Sequence, residues 1–164
     1  MTFEPSQPVA QAHRQPPPRL AGPQCPALTD DERLVVALIR QIVVHGIGAP
    51  LAHRAMQRRG AASGPTAFAA LGDWLSQLAE AARRQIAIGS PVRCCPSPDE
   101  VMLLAIITGA PRGDFAAVHG LLGALVRPGA IDALAHGAEH LGELLTAAGI
   151  ALRPVRFTGE RPAG

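Results

Sequence analysis

Two adjacent cysteines, Cys94 and Cys95, stand just ahead of one of the clearest helix starts in the chain and offer its most reactive side chains. The N-terminus of a helix carries the positive end of the helix dipole, which favours anionic groups, and Arg93 adds a neighbouring cation. This arrangement is typical of a redox-sensitive or metal-binding thiol pair. Alternatively, one cysteine packs as a small apolar side chain while the other lies in a loop.

Cys25 is the only other cysteine, and an odd count is a poor framework for structural disulfides. Adjacent cysteines seldom bridge each other because the connecting peptide is strained, so Cys94 and Cys95 would each need a separate partner. The dipeptides Cys25-Pro26 and Cys95-Pro96 also occur in some haem-regulated proteins, where the thiolate binds iron. We expect reduced cysteines and no required cofactor, with zinc or another transition metal as the alternative.

A second group of possible metal ligands is the H-x-x-E-H pattern formed by His136, Glu139 and His140. Histidines at i and i+4 lie on one helix face and can bind one zinc ion, with the glutamate as general base. Enzymes of this type take a third ligand well downstream, and little chain follows His140. The same residues fit the solvated face of an amphipathic helix. We keep His136 and His140, with Cys94 and Cys95, as candidate metal ligands and assign no catalytic residue.

The composition excludes several classes of function. The chain has no lysine, which rules out a P-loop, a Schiff-base enzyme and a serine-lysine nucleophile pair. The net charge is +2, yet residues 29–149 hold ten arginines against eleven aspartates and glutamates, so the basic excess belongs to the ends of the chain. Aromatic residues make up 3% of the sequence, which leaves few side chains for base stacking. We therefore expect no nucleic-acid partner.

The apolar segments are too interrupted for a membrane protein. Arg40 and Gln41 divide the longest candidate, and a membrane span needs about 18 or more apolar residues. The first thirty residues contain repeated prolines and lack the basic start and apolar stretch of a signal peptide. We expect a cytoplasmic protein with no membrane association.

Six helices are predicted between a Pro-rich flexible tail, residues 1–28, and a flexible C-terminal tail, residues 150–164. Capping boxes pair Thr29 with Glu32 and Ser97 with Glu100, and they mark the first and fourth helices. Pro50, Asp114 and Pro128 mark the second, fifth and sixth helices, while the third is predicted over 66–88. The expected fold is an all-α irregular bundle, with residues 29–149 forming one helical domain.

Apolar periodicity predicts which faces of these helices are buried. Residues 101–107 are apolar on all sides, which places the fourth helix at the centre of the bundle. Phe115 is predicted to face inward at the start of the fifth helix. The third and sixth helices each carry one apolar seam, formed by Phe68, Leu71, Leu75, Leu78 and Ala82 and by Ile131, Leu134, Ala138, Leu141, Leu145 and Ala148.

Several short motifs together resemble a bacterial domain-of-unknown-function family. They are residues 31–34 leading to His45-Gly46, residues 86–88 with Pro91 and the Cys94-Cys95 pair, and Asp99-Glu100 before an apolar helix. The resemblance covers residues 30–149. It implies a short all-helical domain with cysteines before a central helix, and it implies no activity, ligand or partner. The resemblance implies a further cysteine or basic residue after the cysteines, but Pro-Ser-Pro follows them here, and this departure weakens an inherited metal site.

The abundance of apolar helix faces and the scarcity of catalytic constellations favour a non-enzymatic binding or regulatory protein. Such a protein would have a protein partner or form a homo-oligomer through one of the apolar seams. The alternative is a thiol-based redox or metal-responsive protein that uses Cys94 and Cys95.

Overall fold

A computed structural model describes residues 25–60 and 62–154, and within them the chain forms six α-helices and no named strand. The all-α irregular bundle is thereby confirmed. None of the helices in these two ranges combines the length and the apolar character needed to cross a membrane. The helices are α1 (Asp30–His45), α2 (Pro50–Gln57), α3 (Ser63–Ala81), α4 (Pro98–Gly109), α5 (Phe115–Leu125) and α6 (Ile131–Ala147).

Local hydrogen bonds begin and end α1 where the sequence predicts. The Thr29 backbone N–H donates to Glu32 Oε2 at 2.7 Å, and the Glu32 N–H donates back to Thr29 Oγ1 at 3.2 Å. At the other end, Gly46 has φ of 72°, a conformation that side chains disfavour. An equivalent capping box at Ser97 and Glu100 begins α4.

The third helix is shorter than predicted, because it ends at Ala81 instead of continuing to residue 88. Ala82 is extended, with ψ of 133°, and forms an isolated antiparallel bridge with Val126 at the end of α5. The Arg83 N–H donates to the Leu125 carbonyl at 3.0 Å as part of this bridge. Tertiary hydrogen bonds therefore outweigh the local helix propensity of residues 82–88.

Helix α4 occupies the centre of the bundle, as its apolar surface predicts, and it packs against α1, α5 and α6. The two predicted seams are buried except for Ala82 and Ile131, which are half-buried, and α3 and α6 pack against each other. A hydrogen bond of 3.0 Å from the Trp74 indole N–H to the Leu134 carbonyl links these two helices. The side chains with no measurable exposure include Leu71, Leu103, Leu104, Ile106, Ile107, Leu122 and Leu141.

The ends of α5 and α6 differ in detail from the prediction. Phe115 is 46% exposed, so its predicted inward orientation is wrong. It occupies the first turn of α5, and the helix turns Val118, Leu122 and Leu125 toward the core instead. A 3₁₀ turn, Pro128–Ala130, precedes α6, which therefore begins at Ile131.

The packed domain extends beyond residues 29–149 at both ends. Leu28 packs against the core, and Ile150 is 1% exposed. The Ala151 N–H donates to Asp31 at 2.9 Å, and Arg153 pairs with Glu32 at 3.4 Å. The remaining parts of the two predicted tails, residues 1–24 and 155–164, lie outside the described residues.

Candidate functional site

All three cysteines of the chain meet at one point beside the N-terminus of α4. Cys25 and Cys95 form a disulfide, with Cα atoms 5.3 Å apart, and Cys94 is a free, exposed thiol. The Sγ atoms of Cys94 and Cys95 are 3.7 Å apart, and the three sulfurs lie within 4.8 Å of one another. We refer to Cys25, Cys94 and Cys95 as the cysteine cluster.

The disulfide corrects the expectation of three reduced cysteines. Cys25 lies in the segment predicted to be a flexible tail, but the fold brings it to Cys95 across a sequence separation of 70 residues. The Cα separation falls in the range that a disulfide can span. The odd cysteine count therefore reflects one disulfide plus a third thiol beside it.

Arg40 on α1 fixes the backbone on both sides of Cys94. Its guanidinium is buried, and it donates from Nη1 to the Arg93 carbonyl and from Nη2 to the Cys95 carbonyl, the latter at 3.0 Å. The same guanidinium forms a bidentate pair with Glu100, through Nε at 2.7 Å and Nη2 at 2.8 Å. The loop that carries the adjacent cysteines is thus attached to both α1 and α4.

Glu100 is the most buried charged group in the described part of the chain, with 0% exposure. Burial by itself would raise the pKa of this carboxyl, but hydrogen bonds from Arg40, Ser97 and Gly89 outweigh that effect and hold the pKa below its ordinary value. The Ser97 and Gly89 backbone N–H groups donate at 2.6 Å and 3.0 Å. Glu100 is therefore ionised at neutral pH and keeps its pair with Arg40.

A second ion pair fixes the segment that leads from α3 to the cysteine loop. Arg84 donates to both oxygens of Asp99, at 2.8 Å and 2.7 Å, and the Ala87 N–H donates to Asp99 Oδ2 at 2.7 Å. The hydrogen bonds from Arg84 lower the pKa of Asp99 despite its burial. The two acidic residues of the α4 capping sequence therefore have a role beyond helix initiation, which is to hold residues 82–97 in place.

The structure places His136 and His140 on the exposed surface of α6, away from the cysteine cluster. His136 Nδ1 lies 3.5 Å from Glu139, and His140 Nδ1 lies 4.0 Å from Glu143, so each histidine faces its own carboxylate. Within residues 25–60 and 62–154, the cysteine cluster is the only group of three or more candidate metal ligands this close together. Metal binding by His136 and His140 stays a prediction.

Sequence reasoning missed two residues of the site, Cys25 as a partner and Arg40 as an anchor. Arg40 did carry a signal, because a lone arginine inside an apolar helix has to find a buried carboxylate. Glu100, in a capping box ahead of an all-apolar helix, was a suitable carboxylate. Cys25 carried no comparable local signal.

Comparison with family models, curated proteins and solved structures gave no match for this chain. The resemblance to a bacterial family of unknown function therefore stays a prediction. Chemically, the cysteine cluster combines one disulfide with an adjacent exposed thiol, and a thiolate that reaches a disulfide sulfur can exchange with it.

Proposed function

We propose that this chain is a non-enzymatic regulatory protein whose state is set by oxidation and reduction of Cys25, Cys94 and Cys95. The observation that carries the proposal is the convergence of all three cysteine sulfurs within 4.8 Å. Cysteines that served only as core side chains would be buried, whereas Cys25 and Cys94 are exposed and Cys95 is half-buried. Their exposure favours reaction with a dissolved oxidant.

A peroxide is the proposed oxidant, and Cys94 is the proposed first point of attack because it is the exposed member of the adjacent pair. Its thiolate takes one oxygen to form a sulfenic acid, and the first water leaves. The Cys25 thiol then attacks the Cys94 sulfur, which gives a Cys25–Cys94 disulfide and a second water. Finally the Cys95 thiolate displaces Cys94 from Cys25, which yields the Cys25–Cys95 disulfide and restores the Cys94 thiol.

The surroundings of the cluster support this exchange. Arg40 holds the carbonyls of Arg93 and Cys95, so hydrogen bonds restrain the backbone on either side of Cys94 in addition to the disulfide. Cys25 directly precedes the segment that leads into α1, and Arg40 lies on that helix. Helix α1 therefore restrains both sides of the cluster. It follows the segment that carries Cys25, and its Arg40 binds the loop that carries Cys94 and Cys95.

Thiol counting in the native full-length protein tests the proposal. We expect three reactive thiols after reduction, and one after addition of one equivalent of hydrogen peroxide, with peptide mass spectrometry identifying the Cys25–Cys95 linkage. Cys94→Ser should slow formation of this disulfide, because the direct reaction of the half-buried Cys95 replaces the exchange route. Cys25→Ser should abolish it. Three unreacted thiols, or linkages between different chains only, would contradict the proposal.

A regulatory protein also needs a surface that a partner can bind. The apolar seams first considered for a homo-oligomer are buried between α3 and α6 within one chain, so they are not that surface. Four large apolar side chains near the α1–α2 junction remain about half exposed or more, and we call them the apolar patch. They are Val43, Val44, Ile47 and Leu51. We propose that a protein partner or a second copy of the chain binds there.

A further inference from the structure

We infer that the reduced cysteine cluster binds one soft metal ion through three thiolates, and that monovalent copper is the ion that fits it. This inference rests on the proposed function, because it requires that Cys25 and Cys95 exist as free thiols in one state of the protein. Cys25 is thereby a third ligand beside Cys94 and Cys95, and the metal is named as monovalent copper.

The three sulfurs are close enough to share one ion once the disulfide is reduced. Metal–thiolate bonds are about 2.3 Å long, so two sulfurs on one ion are at most roughly 4.6 Å apart and about 4 Å apart in a trigonal site. The Cys94 and Cys95 sulfurs are separated by 3.7 Å, and all three fall within 4.8 Å. The Cys25 and Cys95 sulfurs are bonded in the disulfide, so after reduction they have to move apart by about 2 Å to share one ion.

The ligand type selects among metals. All members of the cluster are sulfur donors, and the nearby carboxylate of Glu100 is already bound by Arg40 and two backbone amides. Soft thiolate ligands favour monovalent copper and zinc over magnesium, calcium or manganese. Zinc favours four ligands in closed sites, whereas three thiolates complete the coordination of monovalent copper. Three sulfurs therefore favour copper.

Metal binding and disulfide formation would exclude each other. Cys25 and Cys95 need their sulfurs as thiolates to bind the ion, and the disulfide uses the same two sulfurs. Binding of one copper ion displaces three thiol protons, and oxidation of Cys25 and Cys95 leaves Cys94 as a single ligand. The cluster would release its metal on oxidation and resist oxidation when it is loaded.

A competition titration tests the inference. The reduced full-length protein is titrated without oxygen against a chromophoric chelator of monovalent copper, and we expect one ion per chain. Cys25→Ser, Cys94→Ser and Cys95→Ser should each lower the affinity by at least about tenfold. The double variant His136→Ala, His140→Ala is the matched control and should bind as the wild type does.

Three outcomes would overturn the inference: no copper bound at one ion per chain, an affinity unchanged in Cys25→Ser, or zinc bound more tightly than copper. Alkylation of the wild-type protein provides a readout that does not depend on the variants folding, since bound copper should protect all three cysteines. Peroxide oxidation of the same preparation separates the two proposals. A Cys25–Cys95 disulfide without copper binding overturns the metal site alone, and copper binding without that disulfide overturns the redox function alone.

Discussion

Arg40 and Glu100 form a buried ion pair that links α1 to α4 and to the cysteine loop. Their side chains are 5% and 0% exposed. Two of the hydrogen bonds of Arg40 go to loop carbonyls, so the residue stabilises the loop as well as neutralising Glu100. Removal of one member of a buried pair is costly because the other charge stays buried without compensation.

We expect Arg40→Met to lower the free energy of unfolding by about 3–5 kcal/mol, since Glu100 would remain buried without its cation. Urea denaturation measures the change. Arg33→Ala is the matched control, because Arg33 pairs with Asp30 at 2.9 Å on the exposed surface, and this pair should contribute about 1 kcal/mol or less. Equal losses in the two variants would show that Arg40 does not anchor the loop.

The buried carboxyl groups of Asp99 and Glu100 make the free energy of unfolding depend on pH. Asp99 and Glu100 both have pKa values lowered in the folded state, so the unfolded chain binds protons first as the pH falls. Their contribution to the free energy of unfolding is fully present at pH values above the ordinary carboxyl pKa. It is lost as the pH falls through the lowered pKa values of the folded state. We expect the free energy of unfolding to decrease below about pH 4.5.

Urea denaturation from pH 7 to pH 3 checks this prediction. Glu32 is a third carboxyl group with a lowered pKa, and Glu100→Gln removes one of the three. The free energy of unfolding of this variant should start lower at pH 7 and fall less steeply in acid. A slope in acid that is the same in this variant as in the wild type would assign the acid sensitivity to other groups.

At the scale of elements, the segment from residue 82 to residue 97 connects α3 to α4 without regular structure, and side chains hold it. The carboxylates of Asp99 and Glu100 accept hydrogen bonds from the Ala87 and Gly89 N–H groups, and Ser97 Oγ donates to the Ala87 carbonyl. Only its last part, around Cys94 and Cys95, is also attached through the disulfide. The two parts should therefore respond differently to reduction.

Hydrogen exchange of the native protein measures this difference. Reduction should increase exchange at the amides of Cys25, Ala27 and Leu28 and of residues 92–95, because the disulfide no longer joins these segments. Exchange at Ala87 and Gly89 should be unchanged, since their amides bind carboxylates of α4. Increased exchange over the whole of residues 82–97 would show instead that the disulfide maintains the entire segment.

At the scale of the whole molecule, close approach of helices depends on glycine at a few positions. A Cβ atom added at Gly142 on α6 would lie 2.5 Å from Pro111 Cγ and 2.8 Å from the Ile107 carbonyl oxygen. Gly142 is a buried residue of α6, and it faces the C-terminal end of α4. A larger residue there would force these elements apart.

We expect Gly142→Ala to lower the free energy of unfolding by about 1–3 kcal/mol through overpacking. Gly120→Ala is the matched control, because a Cβ at Gly120 on α5 meets nothing within 4 Å. That change should raise the stability by up to about 1 kcal/mol, since alanine favours helix more than glycine does. Thermal and urea unfolding compare the variants, and a Gly142→Ala protein as stable as wild type would contradict the packing described.

The apolar patch predicts association of the chain with a second copy. Light scattering at several concentrations should give a mass above that of the monomer that rises with concentration. Leu51, 69% exposed, is the most accessible member, so Leu51→Ser together with Val44→Ser should reduce the association. A constant monomer mass at all concentrations would leave a different protein as the proposed partner and contradict the homo-oligomer.

The starts of α1 and α4 and the buried seams that the sequence predicts depend on interactions between residues close together in the chain, and the structure confirms them. Capping boxes at Thr29 and Ser97 join residues three positions apart, so the starts of α1 and α4 follow from the sequence. The burial of the α3 and α6 seams follows from helical periodicity. The end of α3 does not, because the bridge between Ala82 and Val126 joins residues far apart in the chain.

By itself the sequence determined the all-α class and the central position of α4, and it singled out the Cys94-Cys95 pair as a candidate site. Only the tertiary structure decided that Cys25 completes the cluster and that Arg40 anchors it. The physical reason is distance along the chain. Capping and periodicity act within about four residues, whereas Arg40 and Glu100 are 60 positions apart and the disulfide spans 70. Such pairs exist only after the helices have packed.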